Sequence, residues 1–243
     1  TVYAAPENFA PYQLVVATIA FAFQIYCDFS AYSDIARGSA TMLGFRLMRN
    51  FDSPYFATSV KDFWRRWHIS LSTWFRDYLY FPLGGSRCSQ TRHYLNLLIV
   101  FAVSGLWHGA ALTFIVWGLL NGIYQVVSLI TAPVRKKIQV ALHLKDSNLL
   151  LTIFRYAVTF ALICIAWVFF RADSLGDATY ILSAIFGLVP SAADLGQAHL
   201  SMGLDMANTI MVIGAMLVLL IVDYLGLKHQ LASQINKTII PRY

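Results

Sequence analysis

Two histidines in aromatic-rich stretches are the side chains of this sequence best suited to chemistry. His68 lies within 63–85, which reads FWRRWHISLSTWFRDYLYFPLGG and holds eight aromatic residues beside three arginines. His108 lies in the segment SGLWHG, inside an otherwise uncharged apolar region. An imidazole has a usual pKa of about 6.5, so it can accept or donate a proton near neutral pH. We therefore take these two imidazoles as the candidate reactive groups.

His108 is the stronger candidate because of its surroundings. An ionisable side chain in an apolar region is costly unless it faces a cavity or a partner, so an intramembrane histidine is a functional hypothesis by default. Gly105 and Gly109 lie on either side of it and permit a broken helix or a close backbone approach. The alternative, a histidine that only packs between helices, stays open.

His68 is the second candidate. It follows Trp64 by four residues and precedes Leu71 by three, a spacing that places it on the apolar side of an amphipathic helix. The alternative is an interfacial histidine that hydrogen-bonds to a backbone carbonyl.

Polar residues at the end of the first apolar segment extend this pattern. Asp28, Ser30, Tyr32 and Asp34 would give the lower third of one long helix a polar lining suited to a pocket. Two simpler explanations are also open. Asp34 could pair with Arg37, and Asp28 could cap a break in the helix.

The composition indicates the class of protein that must position these groups. The chain has 243 residues, of which 58% are hydrophobic and only 12% are charged, as in a helical protein that crosses a bilayer several times. Its net charge of +6 does not indicate nucleic-acid binding, because membrane proteins concentrate Lys and Arg in cytoplasmic loops. The three cysteines are scattered, without a CxxC pair, and predict neither a disulfide framework nor a metal site. The lipid bilayer, and no nucleic acid, is therefore the expected partner.

Four apolar runs approach the roughly 20 residues that a helix needs to cross a bilayer. They are 11–26, 94–130, 149–170 and 206–225. The second run has 37 residues, about right for two crossings, but its first arm, 94–103, has only ten. We therefore expect the breaks at Ser104-Gly105 and His108-Gly109 to lie within the membrane, in an all-α polytopic transmembrane fold.

The distribution of charge predicts which side of the membrane each loop occupies. Segments 46–93, 131–148 and 227–243 carry clusters of Lys and Arg, whereas 172–205 carries Asp and neither Lys nor Arg. The positive-inside rule then puts the first three in the cytoplasm and the last one outside. We treat 1–243 as a single membrane-embedded domain with an extracytoplasmic loop at 172–205.

The cytoplasmic segment 46–93 has its own pattern. Apolar residues recur every three or four positions between Val60 and Tyr78, which predicts one amphipathic helix, or two short ones, lying on or dipping into the membrane face. Pro82 and Gly84-Gly85 should end it.

Four segments together resemble those of a known family. CDFSAYSDIA at 27–36, FWRRWHISLSTWFRDYLYFPLGG at 63–85, GLWHG at 105–109 and WVFFRA at 167–172 are similar, in this order, to motifs of the bacterial membrane-bound O-acyltransferases. Within that family the resemblance is to the branch of the alginate O-acetyltransferase membrane subunit, with the teichoic acid D-alanyltransferases as relatives. Family members are longer, so we expect this chain to be a fragment similar to their C-terminal half.

The resemblance implies an acyltransferase built around a central tunnel, with His108 as the catalytic histidine and His68 as the second active-site histidine. The family passes an acyl group from a cytoplasmic thioester, acetyl-CoA or an acyl carrier protein, to a hydroxyl reached through the tunnel. The thioester is a co-substrate, and no bound cofactor is expected. The remaining expected site residues are Asp28, Ser30, Tyr32, Asp34, Trp67 and Trp107 along the tunnel, and Arg65, Arg66 and Arg76 for docking of the donor.

These inferences lead to one expected function and two alternatives. The expected protein is a multi-pass enzyme of the bacterial inner membrane that O-acetylates an exported polysaccharide such as alginate, or a periplasmic acetyltransferase partner that relays the group. A transporter or flippase component with a proton relay of His108, Asp28 and Asp34 is the first alternative. A scaffold of an export complex is the second. The sequence leaves the polymer and the acyl group open.

Overall fold

Helices form the regular structure of residues 2–189 and 205–239, which are the residues that the computed structural model describes. Within these ranges the α-helices are α1 Pro11–Met42, α2 Val60–Arg66, α3 Ile69–Phe75, α4 Gln90–His108, α5 Leu112–Ala141, α6 Leu149–Arg171, α7 Leu175–Ile185 and α8 Met206–Ile239. Short 3₁₀ turns at Val2–Ala4, Pro6–Asn8 and Pro54–Phe56, and a π-helical turn at Arg76–Tyr80, complete them. The predicted all-α fold is confirmed.

Four helices of the described ranges are long and apolar enough to cross a bilayer. They are α1, α5, α6 and the stretch Ala207–Leu227 of α8. The chain is therefore a multi-pass membrane protein. The predicted outer segment 172–205 contains α7, and its residues 190–204 lie outside the described ranges.

The apolar run 94–130 folds as an antiparallel hairpin of α4 and α5. The two helices are separated by a single break at 109–111, directly after His108. The predicted break at Ser104-Gly105 is wrong, because α4 continues through it for 19 residues, about 28 Å. Glycine is tolerated inside this helix because α5 packs directly against it.

The amphipathic segment forms two short helices, α2 and α3, which is one of the two predicted forms. Ser59 starts α2 by accepting a hydrogen bond from the backbone N–H of Asp62 at 3.1 Å, a polar N-cap. Phe63 and Trp67 are buried on its apolar side. Trp74 and Tyr78, which the spacing places on the same side, are instead 53% and 69% exposed, because the chain turns between α2 and α3.

An aromatic cluster fills the core between α1, α2, α5 and α6. Trp67 lies 5.2 Å from Trp167, and Trp167 stacks on Trp117 at 6.0 Å between ring centroids. Both Trp117 and Trp167 are fully buried, so they are packing residues. Phe63 and Tyr55 extend the cluster towards α1.

α8 joins this core by apolar contacts and by hydrogen bonds at Asp223. Met216, Leu219 and Leu220 pack against the cluster. The hydroxyl of Tyr26 donates a hydrogen bond to the carboxylate of Asp223 at 2.9 Å, which ties α8 to α1. Asp223, an ionisable side chain in a spanning helix, therefore has a hydrogen-bond partner.

Candidate active site

His108 is the last residue of α4, and its ring is enclosed by aromatic side chains. The imidazole lies edge-on to Trp117 at 5.0 Å and to Phe170 at 5.5 Å between centroids. Trp107, which is 60% exposed, covers it at 5.0 Å. α4, α5 and α6 therefore converge on this one imidazole.

Glycines set the distance between α4 and α5, and so the position of His108. A Cβ atom on Gly105 would lie 2.3 Å from the carbonyl oxygen of Phe114, and one on Gly118 would lie 2.2 Å from that of Phe101. Neither backbone oxygen could move aside without distorting its helix. Only glycine permits this approach, which places α5 directly against the end of α4.

His68 lies in the break between α2 and α3 and caps α3. The prediction that His68 lies within an amphipathic helix is wrong, because its backbone is left-handed with φ 46° and ψ 54°. A residue with a side chain seldom adopts this conformation, which costs of order 1–3 kcal/mol. The surrounding structure must therefore hold it in place.

Asn50 provides that support from a loop distant in sequence. Its carbonyl oxygen accepts a hydrogen bond from the backbone N–H of Ile69 at 3.0 Å. Its side-chain oxygen accepts one from the N–H of Ser70 at 3.1 Å. The first two residues after His68 are thus fixed, and with them the direction of the imidazole.

The His68 ring packs edge-on against Phe29 at 4.6 Å, and the Ser70 hydroxyl lies 3.5 Å from its Nδ1. Burial, and to a lesser degree repulsion by a charge on His108, lower the pKa of His68 to about 4. The imidazole is therefore neutral at pH 7, with one nitrogen able to donate a hydrogen bond and the other to accept one. The two histidines, forty residues apart in sequence, are close enough to interact.

A cavity of about 690 Å³ is lined by two phenylalanines that contact these histidines. We call it the central cavity. Its walls come from α1, from the turn between α4 and α5, and from the end of α6. Phe29, which contacts His68, and Phe170, which contacts His108, both line it. A substrate in this cavity would thus have an imidazole behind each of two adjoining walls.

The predicted tunnel residues on α1 are distributed unevenly around the central cavity. Asp28 and Tyr32 line it. Ser30 instead donates a hydrogen bond to the carbonyl of Cys27 at 3.3 Å, and Asp34 pairs with Arg37 at 3.0 Å. For Asp34 the structure therefore agrees with the ion pair to Arg37 and not with a position in the cavity wall.

The two tryptophans predicted for the tunnel have different places. Trp107 covers His108 from the surface. Trp67 is 3% exposed and belongs to the aromatic core. Trp107 thus lies beside His108 near the surface, whereas Trp67 lies in the buried core directly before His68.

A second cavity, of about 520 Å³, lies between the amphipathic segment and the α4–α5 hairpin. We call it the basic cavity, because Lys61, Arg65, Arg76 and His93 line it. Ser104, one turn before His108, forms part of its inner wall. Thus a basic opening on the predicted cytoplasmic side reaches the helix that carries His108.

The three arginines predicted to dock the donor do not behave alike. Arg65 is exposed and lines the basic cavity. Arg76 also lines it but forms an ion pair with Asp77 at 2.7 Å. Arg66 turns away, to the Asp62 carboxylate at 3.1 Å and the backbone carbonyl of Asp52 at 3.3 Å, so it stabilises the fold of α2.

Sequence reasoning missed several residues of the site. Asn50 had no signal, because its role depends on a fold contact with 68–70. Phe170 and Arg171 lie in the segment WVFFRA and line the central cavity, although no role was assigned to them. No group of three His, Cys, Asp or Glu side chains suited to a metal ion occurs in the described ranges 2–189 and 205–239.

Comparison with known proteins extends these observations. Residues 6–170 match the membrane-bound O-acyltransferase family, a range that includes both histidines and most of the walls of both cavities. The chain is similar to a probable alginate O-acetylase AlgI of Pseudomonas aeruginosa, with 38% identity over 88% of this chain. It is also similar to a peptidoglycan O-acetyltransferase of Helicobacter pylori, with 42% identity over 72% of this chain, and to a teichoic acid D-alanyltransferase of Bacillus subtilis, with 29% identity over 62%.

The matched regions cover 38%, 32% and 39% of these three relatives, so the chain spans well under half of their length. The family match itself covers residues 6–170, more than half of this chain. On this match the chain belongs to the membrane-bound O-acyltransferase family.

Proposed function

We propose that this chain carries the reaction centre of an O-acetyltransferase. The enzyme would transfer an acetyl group from a cytoplasmic thioester, acetyl-CoA or an acyl carrier protein, to a hydroxyl on the outer side of a bacterial inner membrane. The observation that carries the proposal is the central cavity, which has His68 behind one phenylalanine of its wall and His108 behind another.

His108 is the proposed general base. As the acceptor hydroxyl attacks the thioester carbonyl carbon, a nitrogen of His108 takes its proton. The tetrahedral intermediate then collapses, the carbon–sulfur bond breaks, and the proton passes to the leaving thiolate. The products are an ester and a free thiol, so no other reactant is needed.

His68 is proposed to assist as a neutral imidazole. With a pKa of about 4 it carries no charge at pH 7, so it can donate a hydrogen bond without repelling a positive charge on His108. A donor aimed at the oxygen that becomes negative in the tetrahedral intermediate lowers the barrier. The left-handed backbone at His68 supports this role, because strain of this kind tends to occur at functional sites.

The basic cavity is the proposed entrance for the donor. Lys61, Arg65 and His93 present positive or titratable groups where the charge pattern predicts the cytoplasm. Phosphate groups of coenzyme A, or acidic residues of a carrier protein, are attracted to such a surface. The thioester would then reach His108 past Ser104.

The names of the relatives support a polysaccharide as the final acceptor. Two are named for O-acetylation, of alginate and of peptidoglycan, and one for D-alanylation of teichoic acid. We propose an exported polysaccharide, reached directly or through a periplasmic acetyltransferase that relays the group. Alginate is the first polymer to test.

The replacement His108→Ala tests the proposal. Membranes that contain the protein are supplied with labelled acetyl-CoA, and the label on polymer or partner protein is measured with and without a proton gradient. We expect His108→Ala to reduce labelling by about 10²–10⁴-fold, the usual contribution of a general base. His143→Ala serves as the control, because His143 is exposed at the end of α5, away from both cavities.

Two results would contradict the proposal. One is full labelling by His108→Ala at normal expression. The other is a wild-type activity that requires a proton gradient and ignores the acetyl donor, which would favour a transporter with a proton relay.

A second test concerns the donor entrance. We expect Arg65→Ala to raise the KM for acetyl-CoA and to leave kcat unchanged, because Arg65 lines the basic cavity and has no ion-pair partner in the described part of the chain. Lys136→Ala, on the exposed cytoplasmic end of α5, is the control. An unchanged KM for Arg65→Ala would remove the basic cavity from the donor route.

A further inference from the structure

Arg171 is an unusual cation on the side of the protein that the charge pattern predicts to be outside. It ends α6, and the neighbouring segments 1–10 and 172–205 contain neither Lys nor Arg. The positive-inside rule disfavours a cation there. Its position at a helix C-terminus is favourable, but this does not satisfy the donors of its guanidinium group.

Among the residues that the structure describes, those around Arg171 offer aromatic rings and no carboxylate within ion-pair distance. The guanidinium lies over Tyr3 at 5.7 Å and over Phe21 at 5.9 Å. Among the described residues no carboxylate lies within 4.0 Å of it, whereas Arg155 at the other end of α6 pairs with Asp146 at 3.2 Å. Arg171 therefore presents an exposed positive charge that is held in place by two rings.

An apolar groove begins at this guanidinium and runs between α1 and α8. We call it the lateral groove. It has a volume of about 460 Å³ and is open on one side. Arg171 is its single charged lining residue among those described, and Val16, Ala20, Val212 and Met216 are typical of its walls. Val16, which is 45% exposed, lies at the open side on a helix long and apolar enough to cross a bilayer.

We propose that the lateral groove binds one acidic phospholipid, with an acyl chain between α1 and α8 and the phosphate on Arg171. The shape and charge of the groove complement such an amphiphile, since a long apolar channel ends in a single cation. Arg binds phosphate oxygens through two parallel hydrogen bonds. A head group with no net charge, such as phosphatidylcholine, would bring a second cation next to Arg171.

The lipid would also become part of the reaction centre's wall. Phe21, Gln24 and Arg171 line both the lateral groove and the central cavity. A lipid held there would limit sideways access to the central cavity. The binding itself does not depend on the proposed acyl transfer.

Photo-crosslinking of lipids tests this site. The purified protein is placed in nanodiscs of phosphatidylcholine that contain a few per cent of phosphatidylglycerol with a photoreactive acyl chain, and the labelled peptides are mapped by mass spectrometry. We expect labels on 16–24 of α1 and 212–216 of α8. Arg171→Gln should reduce them about tenfold, since a charge-assisted hydrogen bond contributes about that ratio. Arg171→Lys should retain part of the labelling.

Two variants and a second lipid make the result decisive. Arg155→Gln, on the same helix, should label like the wild type. Val16→Trp should block the groove and reduce labelling while Arg171 is intact. A photoreactive phosphatidylcholine should label weakly. Equal labelling of Arg171→Gln and wild type, or equal labelling by the two lipids, would overturn the proposal. So would full labelling of Val16→Trp, because the head group would then bind without the groove.

Discussion

His108 and His68 each pack behind a phenylalanine that lines the central cavity, but they are held there in two different ways. His108 ends a regular helix, and its position follows from the contact of α4 with α5 at Gly105 and Gly118, where no side chain fits. His68 lies in a break, in a left-handed conformation that two hydrogen bonds accepted by Asn50 stabilise. The first position depends on steric fit between helices and the second on polar contacts of a loop. The two should therefore respond differently to mutation.

The largest effect on stability and activity is expected when the contact between α4 and α5 at Gly118 is disrupted. Gly118→Ala places a Cβ atom 2.2 Å from the carbonyl oxygen of Phe101, so α5 must move away from α4. We expect a loss of about 1–3 kcal/mol in the free energy of unfolding, as in other overpacked cores. We also expect a fall in acyl transfer of about 100-fold, because His108, the proposed base, is displaced. Thermal unfolding in detergent and labelled acetyl transfer measure the two effects.

Gly214→Ala is the matched control for this change. Gly214 also lies in a spanning helix, but a Cβ atom there meets nothing within 4 Å. This variant should be as stable as the wild type or slightly more stable, because alanine favours helix. If Gly118→Ala were equally harmless, steric fit would not be what positions His108.

A smaller effect is expected when the polar support of His68 is removed. Asn50→Ala deletes the acceptor for the N–H of Ser70, which then lacks a partner at a cost of about 1–3 kcal/mol. We expect kcat to fall about tenfold with an unchanged KM for the donor, because a misdirected imidazole affects the reaction and not the basic cavity. Asn50→Asp keeps an acceptor oxygen and should restore part of kcat. A change in KM alone would argue against this role.

Replacing each histidine by alanine and by glycine compares the two backbones directly. At position 68 the glycine variant should be more stable than the alanine variant by about 1 kcal/mol, because a Cβ atom is strained in the left-handed region. At position 108 the alanine variant should instead be more stable than the glycine variant, by about 0.5–1 kcal/mol, because the residue is helical. All four variants lack the imidazole. The difference in the free energy of unfolding within each pair, measured by chemical denaturation, therefore reports the backbone. The same order at both positions would contradict the difference described above.

A further comparison concerns the dependence of stability on pH. The pKa of His68 is about 4 in the folded protein and near 6.5 in the unfolded chain, so the unfolded state binds more protons between these values. The free energy of unfolding is therefore unaffected by this group above about pH 6.5, and it decreases as the pH falls towards 4. The unfolding midpoint of His68→Ala should therefore fall less than that of the wild type between pH 7 and pH 5. Parallel pH curves would mean that His68 is not held in its neutral form.

The parts of the fold that sequence could predict are those with a repeating signal. Apolar runs long enough to cross a bilayer indicated α1, α5, α6 and α8, and three- and four-residue spacing indicated the amphipathic segment. The uncharged surroundings of His108 also pointed to that residue without knowledge of the fold. These signals are local, so each can be read from a short window.

The parts that sequence could not predict depend on contacts between distant segments. The left-handed break at His68 requires Asn50, and no spacing rule relates the two. Arg65 and Arg66 are adjacent and chemically alike, yet only Arg65 lines the basic cavity, because Asp62 lies one turn away on the side of Arg66. The continuation of α4 through Gly105 could not be foreseen either, since it depends on the fit of α5.

The hairpin of α4 and α5 also has a consequence for the biogenesis of the protein. α4 is not among the helices apolar enough to cross a bilayer alone, whereas α5 is. The translocon would therefore release α4 into the lipid only after α5 has been synthesised, when the pair can enter as one unit. The ribosome must then have added about thirty residues beyond His108 before that imidazole leaves water. A ribosome that stalls within α5 would leave a chain whose histidine has never entered the membrane.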